Sequence, residues 1–253
     1  MAAVFPIAVL LLALVSPIPA AGASLPSYIS VCKRNDPNLN ECFLKSALET
    51  LPNIINGDKS LKIPNLDPFR IESMTIGEDA NSNVGLELLF KNIDMIGLKN
   101  TVIKDAKIDL DKLRLEFEML VPSLKVEGPY EVNGKILVLP ITGKGQSDIT
   151  LENVKAKWFV TGKLVGKTPE TQRLQVDSAK VDIDPENMII HLDGLFGGDK
   201  TLSDNMNLFL NENWKDVLGE LKPGVNEALA QIVSLIGNQV VSSVPYNQLL
   251  PPE

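Results

Sequence analysis

Histidine and cysteine are almost missing from this chain of 253 residues, which has one histidine, His191, and two cysteines, Cys32 and Cys42. A Ser-His-Asp or Cys-His arrangement would have to rest on His191 alone. It stands in a strand-like stretch, residues 188–193, where a structural or surface role fits it better. Transition-metal sites draw on several His or Cys ligands, and no such cluster is visible in the sequence. Gly-X-Ser-X-Gly does not occur, and Asn-X-Ser/Thr is absent, so neither a nucleophile elbow nor an N-glycan is expected. Net charge is −8, with the charges interspersed, so there is no basic footprint for phosphate backbones or anionic lipid. Nucleic acid is thereby excluded as a partner. Beyond the N-terminal region no stretch is long and apolar enough to cross a bilayer. These absences point to a chain without catalysis, cofactor, metal or stable membrane anchor.

Three stretches imitate functional motifs. Gly162 to Thr168 is one residue short of a phosphate-cradling loop and runs into Pro169, where a helix could not start. Asp182-Ile-Asp184-Pro lacks the glycine and distal glutamate of a calcium loop. Glu116 and Glu118 share a strand face, but nothing around them is apolar enough to tune them for acid/base work.

The first 23 residues carry no charged side chain; an apolar run from Val4 to Val15 leads into Pro17, Pro19 and small residues ending at Ala23. This pattern is expected of a secretory leader (residues 1–23), leaving 24–253 as a single domain. In a secreted chain Cys32 and Cys42 read as a disulfide. Closing so short a loop stabilises by about 2–3 kcal/mol on the chain-entropy model.

Residues 40–56 read as a helix with Phe43, Leu44, Ala47, Leu48 and Leu51 on one side, ended by Gly57. From Ile71 to Phe196 the period becomes two. Leu113, Leu115, Phe117 and Met119 share one face; Pro122 interrupts, and Leu124, Val126, Gly128, Tyr130 and Val132 resume the alternation. Asn133-Gly134 predicts a hairpin turn into residues 135–141, with further strands at 148–161, 172–183 and 188–195. Seven or eight antiparallel strands are expected in all. From Gly198 the period lengthens again. Thr201 or Ser203 can cap a helix. Leu202, Met206, Leu210, Trp214, Val217, Leu221, Val225, Leu229, Ile232, Ile236 and Val240 then form one apolar stripe along roughly forty residues. Such a rod would span about 60 Å, too long for a compact ball of this mass, with a break expected at Pro223 between Gly219 and Gly224. A curved sheet with one apolar face and a helix with one apolar stripe pack by the sheet wrapping the helix. Periodicity cannot separate a filled core from a hollow one.

Several stretches together resemble one family. They are Cys32 and Cys42, Asn56-Gly57, Leu61-Lys-Ile-Pro-Asn-Leu-Asp-Pro68, Gly128-Pro-Tyr130, Gly134, residues 139–145, Asn207-Leu-Phe-Leu-Asn-Glu-Asn-Trp214, Glu220-Leu-Lys-Pro223 and Val244-Pro-Tyr-Asn-Gln-Leu249. In this order they resemble the insect takeout/juvenile-hormone-binding proteins, of the tubular lipid-binding superfamily. The resemblance implies an elongated α+β fold, a long C-terminal helix wrapped by a strongly bent antiparallel sheet, with an internal hydrophobic tunnel. It also implies a secreted, monomeric carrier of a small fatty-acyl, terpenoid or juvenile-hormone-like ligand, acting in circadian, feeding or chemosensory physiology with an unidentified receptor. The alternative is a secreted signalling or interaction protein whose tunnel is not used for transport. The family's hormone carriers have a second disulfide for which this chain lacks cysteines, which places it nearer the takeout branch. On that fold the tunnel-lining candidates are Leu113, Leu115, Phe117, Met119, Val126, Tyr130, Val132 and Trp158 from the sheet, joined by Phe209, Leu210 and Trp214 from the helix. Tyr130 matches the family position that offers a hydroxyl to the ligand; a tyrosine bonded to backbone is the alternative.

Overall fold

Two very long strands carry the architecture. In a computed structural model, which describes residues 25–77 and 85–253, β4 (Arg114–Ile136) and β5 (Leu139–Val165) pair along their whole length, from Arg114↔Thr161 to Ile136↔Leu139. The expected leader lies outside the described residues. On the other edge of β4, β3 (Val102–Asp109) pairs with its first part and β2 (Leu86–Ile96) with its second, and β1 (Phe69–Ile76) continues outside β2. β6 (Arg173–Asp184) and β7 (Asn187–Leu192) share the far edge of β5. All seven described strands are antiparallel.

A straight strand as long as β5 would reach about 90 Å, so the sheet must bend without turning its apolar face outward. It does so by phase slips. Inward residues of β4 run 115, 117, 119, 121, then 124, 126, 128, 130, 132. Pro122 and Ser123 are both exposed between them, and the strand continues through the proline that was expected to interrupt it. Directly across, Glu152 and Asn153 make the same slip in β5, between buried Leu151 and Val154. Similar slips fall at Lys91-Asn92 in β2 and Asp177-Ser178 in β6. Asn92 and Asn153 take positive φ, and register shifts in β2, β3 and β6 mark the irregularities. The slips in β2 and β6 are bulges, and those in β4 and β5 face each other without a change of register; each returns the apolar side chains to the concave face.

Two local expectations are corrected. The hairpin turn is Leu137-Val138, with Leu137 at φ 54, and Asn133-Gly134 lies inside β4. Gly134 is needed there for space: a Cβ would meet Gly85 O at 2.1 Å. The segment expected as two strands is the single strand β5, in which Gly145 lets residue 193 cross, since a Cβ would meet Asp193 O at 2.2 Å.

The helices close the sheet's edges. α1 (Leu39–Ile54) packs on β3, α2 (Lys200–Glu212) on β7 and α3 (Trp214–Val241) mainly on β6. The cap of α2 is Asp199, whose Oδ1 accepts Leu202 N–H at 3.0 Å; Ser203 Oγ is spent on Leu195 O. The expected single helix is broken at Asn213 (φ −114°, ψ 23°), whose side chain donates to Phe209 O. This break lets α2 follow β7 while α3 follows β6. α3 then runs unbroken through Pro223, which is exposed, as is Gly219, whose carbonyl loses its helical partner to the proline. Gly224 is a close-packing residue, because a Cβ there would meet Ile76 Cγ2 at 2.9 Å.

Cys32–Cys42 is a disulfide. Beside it Arg34 stacks over Tyr246, 4.7 Å from the ring centre, and donates to Leu250 O and Asn247 Oδ1. Cys32, Leu174, Tyr246 and Leu250 form a small second core there, so the N-terminal segment, β6 and α4 (Tyr246–Leu249) seal one end together.

Candidate functional site

The concave face of the sheet opposes the inner stripe of α3. Polar contacts fix α3 on its flanks: Glu220 Oε2 accepts Leu137 N–H, Lys222 and Asn226 bind Asp182, and Asn238 Oδ1 accepts Val176 N–H at 2.8 Å. The bond from Lys222, with a smaller contribution from Asn226 and against the opposing effect of burial, holds the Asp182 carboxyl below the usual range. Between these flanks the stripe is apolar. Leu218, Leu221, Val225, Leu229, Ile232 and Val233 all pack toward the main core, yet all are only half-buried. Of the residues of α3, Val217 alone is buried.

The sequence-predicted site residues divide into three groups. Met119, Tyr130, Val132 and Leu210 are buried and belong to the main core. Leu115, Phe117, Val126, Trp158, Phe209 and Trp214 stay half-buried. Phe117 stands 6.4 Å from Trp158 and 5.4 Å from Phe43 on α1, measured between ring centres. Leu113 is not on the strand face but in the turn before β4, at φ 48, packed into the second core beside Leu174 and Tyr246. Phe43 was legible as part of an apolar helix side, but nothing local tied that side to Phe117.

Tyr130 takes the backbone-bonded alternative. It is 2% exposed, faces Gly145 across the hairpin, and its hydroxyl donates to Asp193 O at 2.7 Å. Burial, with the Asp193 carboxylate nearby, pushes its phenol up to about 12. Burial and the bond to Asp58 push Tyr28 to about 12 as well, and burial raises Tyr246. These are all three tyrosines. For an acid with a raised folded pKa, the neutral form is favoured by folding. The resulting stability is present in full below pH 10 and is lost as pH rises from 10 toward 12. Absorbance at 295 nm should therefore show much less tyrosinate in the folded protein at pH 10 than in the urea-unfolded chain, which is half ionised there. A folded-state midpoint near 10 would contradict the environments described.

A surface groove of about 350 Å³ is lined by Asn92, Asp94, Glu127, Asp148, His191 and Asp193, among others. His191 Nε2 lies 3.0 Å from Asp193 Oδ1, but Ser147 in this groove is buried and its hydroxyl donates to Gly128 O. Asp94 is paired with Arg70, and Lys125 bridges Glu127 and Asp148. Among the described residues no group of three or more His, Cys, Asp or Glu is arranged to hold a metal ion, and no helix is long and apolar enough to cross a membrane.

Comparison with known proteins places this geometry. The family model for haemolymph juvenile hormone binding protein matches residues 7–251. The circadian clock-controlled protein daywake of Drosophila melanogaster is 28% identical over 239 residues, covering 92% of this chain and 91% of that protein. The "Putative beta-carotene-binding protein" of Schistocerca gregaria is 24% identical over 224 residues, covering 88% of each. The crystal structure of Epiphyas postvittana Takeout 1 superposes with a TM-score of 0.74 at 28% identity, covering 87% of this chain and 99% of that one. A seven-stranded, strongly bent antiparallel sheet carrying a C-terminal helix, matched over nearly the whole sequence, means that the chain belongs to the haemolymph juvenile hormone binding protein (takeout/JHBP) family.

Proposed function

We propose that the protein is a secreted, non-catalytic carrier that holds a small hydrophobic ligand between the concave sheet and α3, with residues 1–23 as its leader. One observation carries this reading: the inward apolar residues of α3 and of the middle of the sheet retain accessible surface. Protein interiors pack as densely as organic crystals. A stripe from Leu218 to Val233 that points at the core without being buried by it supports a space beside it. Such a space lined by Phe43, Phe117, Trp158 and aliphatic side chains suits a fatty-acyl or terpenoid chain. The named binding property of the locust relative supports a lipophilic ligand, and the clock-controlled fly relative suggests rhythmic physiology as the setting.

The chain has two tryptophans, Trp158 and Trp214, and both are half-buried. A polyene such as retinyl acetate in the tunnel should quench their emission saturably at one equivalent, with Trp158→Phe removing a large share of the signal. Absence of saturable quenching by any of a panel of retinoids, fatty acids and terpenoids would overturn the reading.

A further inference from the structure

The apolar stripe of α3 contains one polar side chain that the fold does not use. Gln239 follows Leu221 by eighteen residues, five helical turns, and Ile232 by seven, so it falls on the same line of the helix. Leu221 and Ile232 both pack toward the main core. Gln239 Oε1 is buried and has no hydrogen-bond partner. Among the described residues two other buried side-chain atoms share that condition, Arg114 Nε and Asn226 Oδ1. Both belong to groups already engaged elsewhere: Arg114 pairs with Glu116, and Asn226 donates to Asp182 on the flank of α3. Neither lies on the inner stripe. Leaving an acceptor buried and unpaired costs free energy, so Gln239 is either a defect or half of an interaction.

We propose that Gln239 is the polar anchor of the tunnel, bonding the head group of a lipophile that carries one neutral hydrogen-bond donor, a hydroxyl in the simplest case. This rests on the carrier reading above and adds the ligand's polarity and direction. The surroundings select a neutral head group. No charged side chain occurs from Ala228 to Pro252. Three cations near this end are already engaged: Arg173 with Ser242 O, Arg34 with Leu250 O and Asn247, and Lys163 with Asp177. A carboxylate would lack a counter-charge there, whereas an alcohol needs only an acceptor. Gln239 lies near the C-terminal end of α3, next to the sealed end formed by the disulfide segment and α4. The head group would thus enter first and the hydrocarbon tail trail between Phe117, Trp158 and the stripe of α3. The role that the family resemblance gives to Tyr130 passes to Gln239, because Tyr130 is bonded to Asp193.

The test compares retinol, which has one hydroxyl donor, with retinyl acetate, which has none, on the mature protein and on Gln239→Leu. The anchor predicts that Gln239→Leu weakens retinol about 5- to 10-fold, one hydrogen bond's worth, and leaves retinyl acetate unchanged or tighter. Removal of an unpaired amide should not lower the melting temperature; Gln239→Met serves as the second variant if Leu folds poorly. Equal changes for both retinoids would make Gln239 mere packing, and no change for either would put it outside the site. Either result sinks the anchor while leaving the carrier intact. Failure of the unaltered protein to bind both retinoids, or any other lipophile, would overturn the carrier reading itself.

Discussion

Replacing Asn207 and Asn211 with alanine should each cost about 2 kcal/mol of folding stability, far more than a surface asparagine is ordinarily worth. Both stand one helical turn apart on α2, facing the free edge of β7. Asn207 Oδ1 accepts Leu192 N–H at 2.9 Å while its Nδ2 donates to Leu192 O at 3.0 Å. Asn211 does the same to Ile190, at 2.9 and 2.7 Å. Each primary amide therefore supplies the donor and acceptor that a neighbouring strand would supply, so α2 completes the ladder and protects an edge otherwise open to pairing with another chain. Truncation leaves two backbone groups per residue without partners. Urea midpoints should fall for Asn207→Ala and Asn211→Ala, whereas exposed Asn205→Ala on the same helix should stay within about 0.5 kcal/mol. Equal shifts for all three would show that the amides do not stitch the edge. Asn40 on α1 and Asn238 on α3 make single bonds of the same kind, to Ile108 N–H and Val176 N–H.

Val225→Trp should weaken binding of a fatty-acyl or retinoid probe by more than tenfold while lowering stability by less than about 1 kcal/mol. The two readouts together separate a hollow interior from a filled one. Adding bulk to a close-packed core costs typically 1–3 kcal/mol; adding it to a lined space costs little and takes ligand volume. A bound chain burying about 300 Å² gains about 7 kcal/mol. Displacing a third of that contact removes about 2 kcal/mol, roughly thirtyfold in affinity. Leu208→Trp, on the outer side of α2 and 57% exposed, is the control that should change neither quantity. Unchanged affinity with a large loss of stability would mean that Val225 is ordinary core.

The features legible in the sequence were those that depend on burial pattern. Alternation along β4, including its change of phase near Pro122, followed from which side chains must leave water, and so did the amphipathic stripe after Gly198. What was misread depended on tertiary partners. Asn133-Gly134 has the chemistry of a tight turn, but Gly134 is needed where Gly85 approaches. The actual turn, Leu137-Val138, lacks turn residues and is held by Glu220 accepting Leu137 N–H at 2.7 Å. Pro223 is a strong helix breaker in isolation, yet its disrupted side faces solvent, and the break falls at Asn213, where the helix changes the strand it packs on. The sequence assigns the asparagines of the Asn207–Trp214 run no role beyond the family resemblance. Their role depends on the distant β7, which no local pattern reveals. Among the site residues, alternation placed Tyr130 on the inner face correctly, but it could not show that Asp193 O waits across Gly145 to take its hydroxyl.

On the carrier reading, the space between the sheet and α3 is occupied by a lipophile in the working protein. Native mass spectrometry of the protein recovered from the medium of expressing insect cells tests it most directly. The expected result is a chain cleaved near Ala23, monomeric, carrying one equivalent of a non-covalent adduct that organic extraction identifies as a hydrophobic molecule, with the adduct diminished in Val225→Trp. Recovery of a ligand-free protein that takes up no lipophile on incubation, or an adduct unaffected by Val225→Trp, would contradict it.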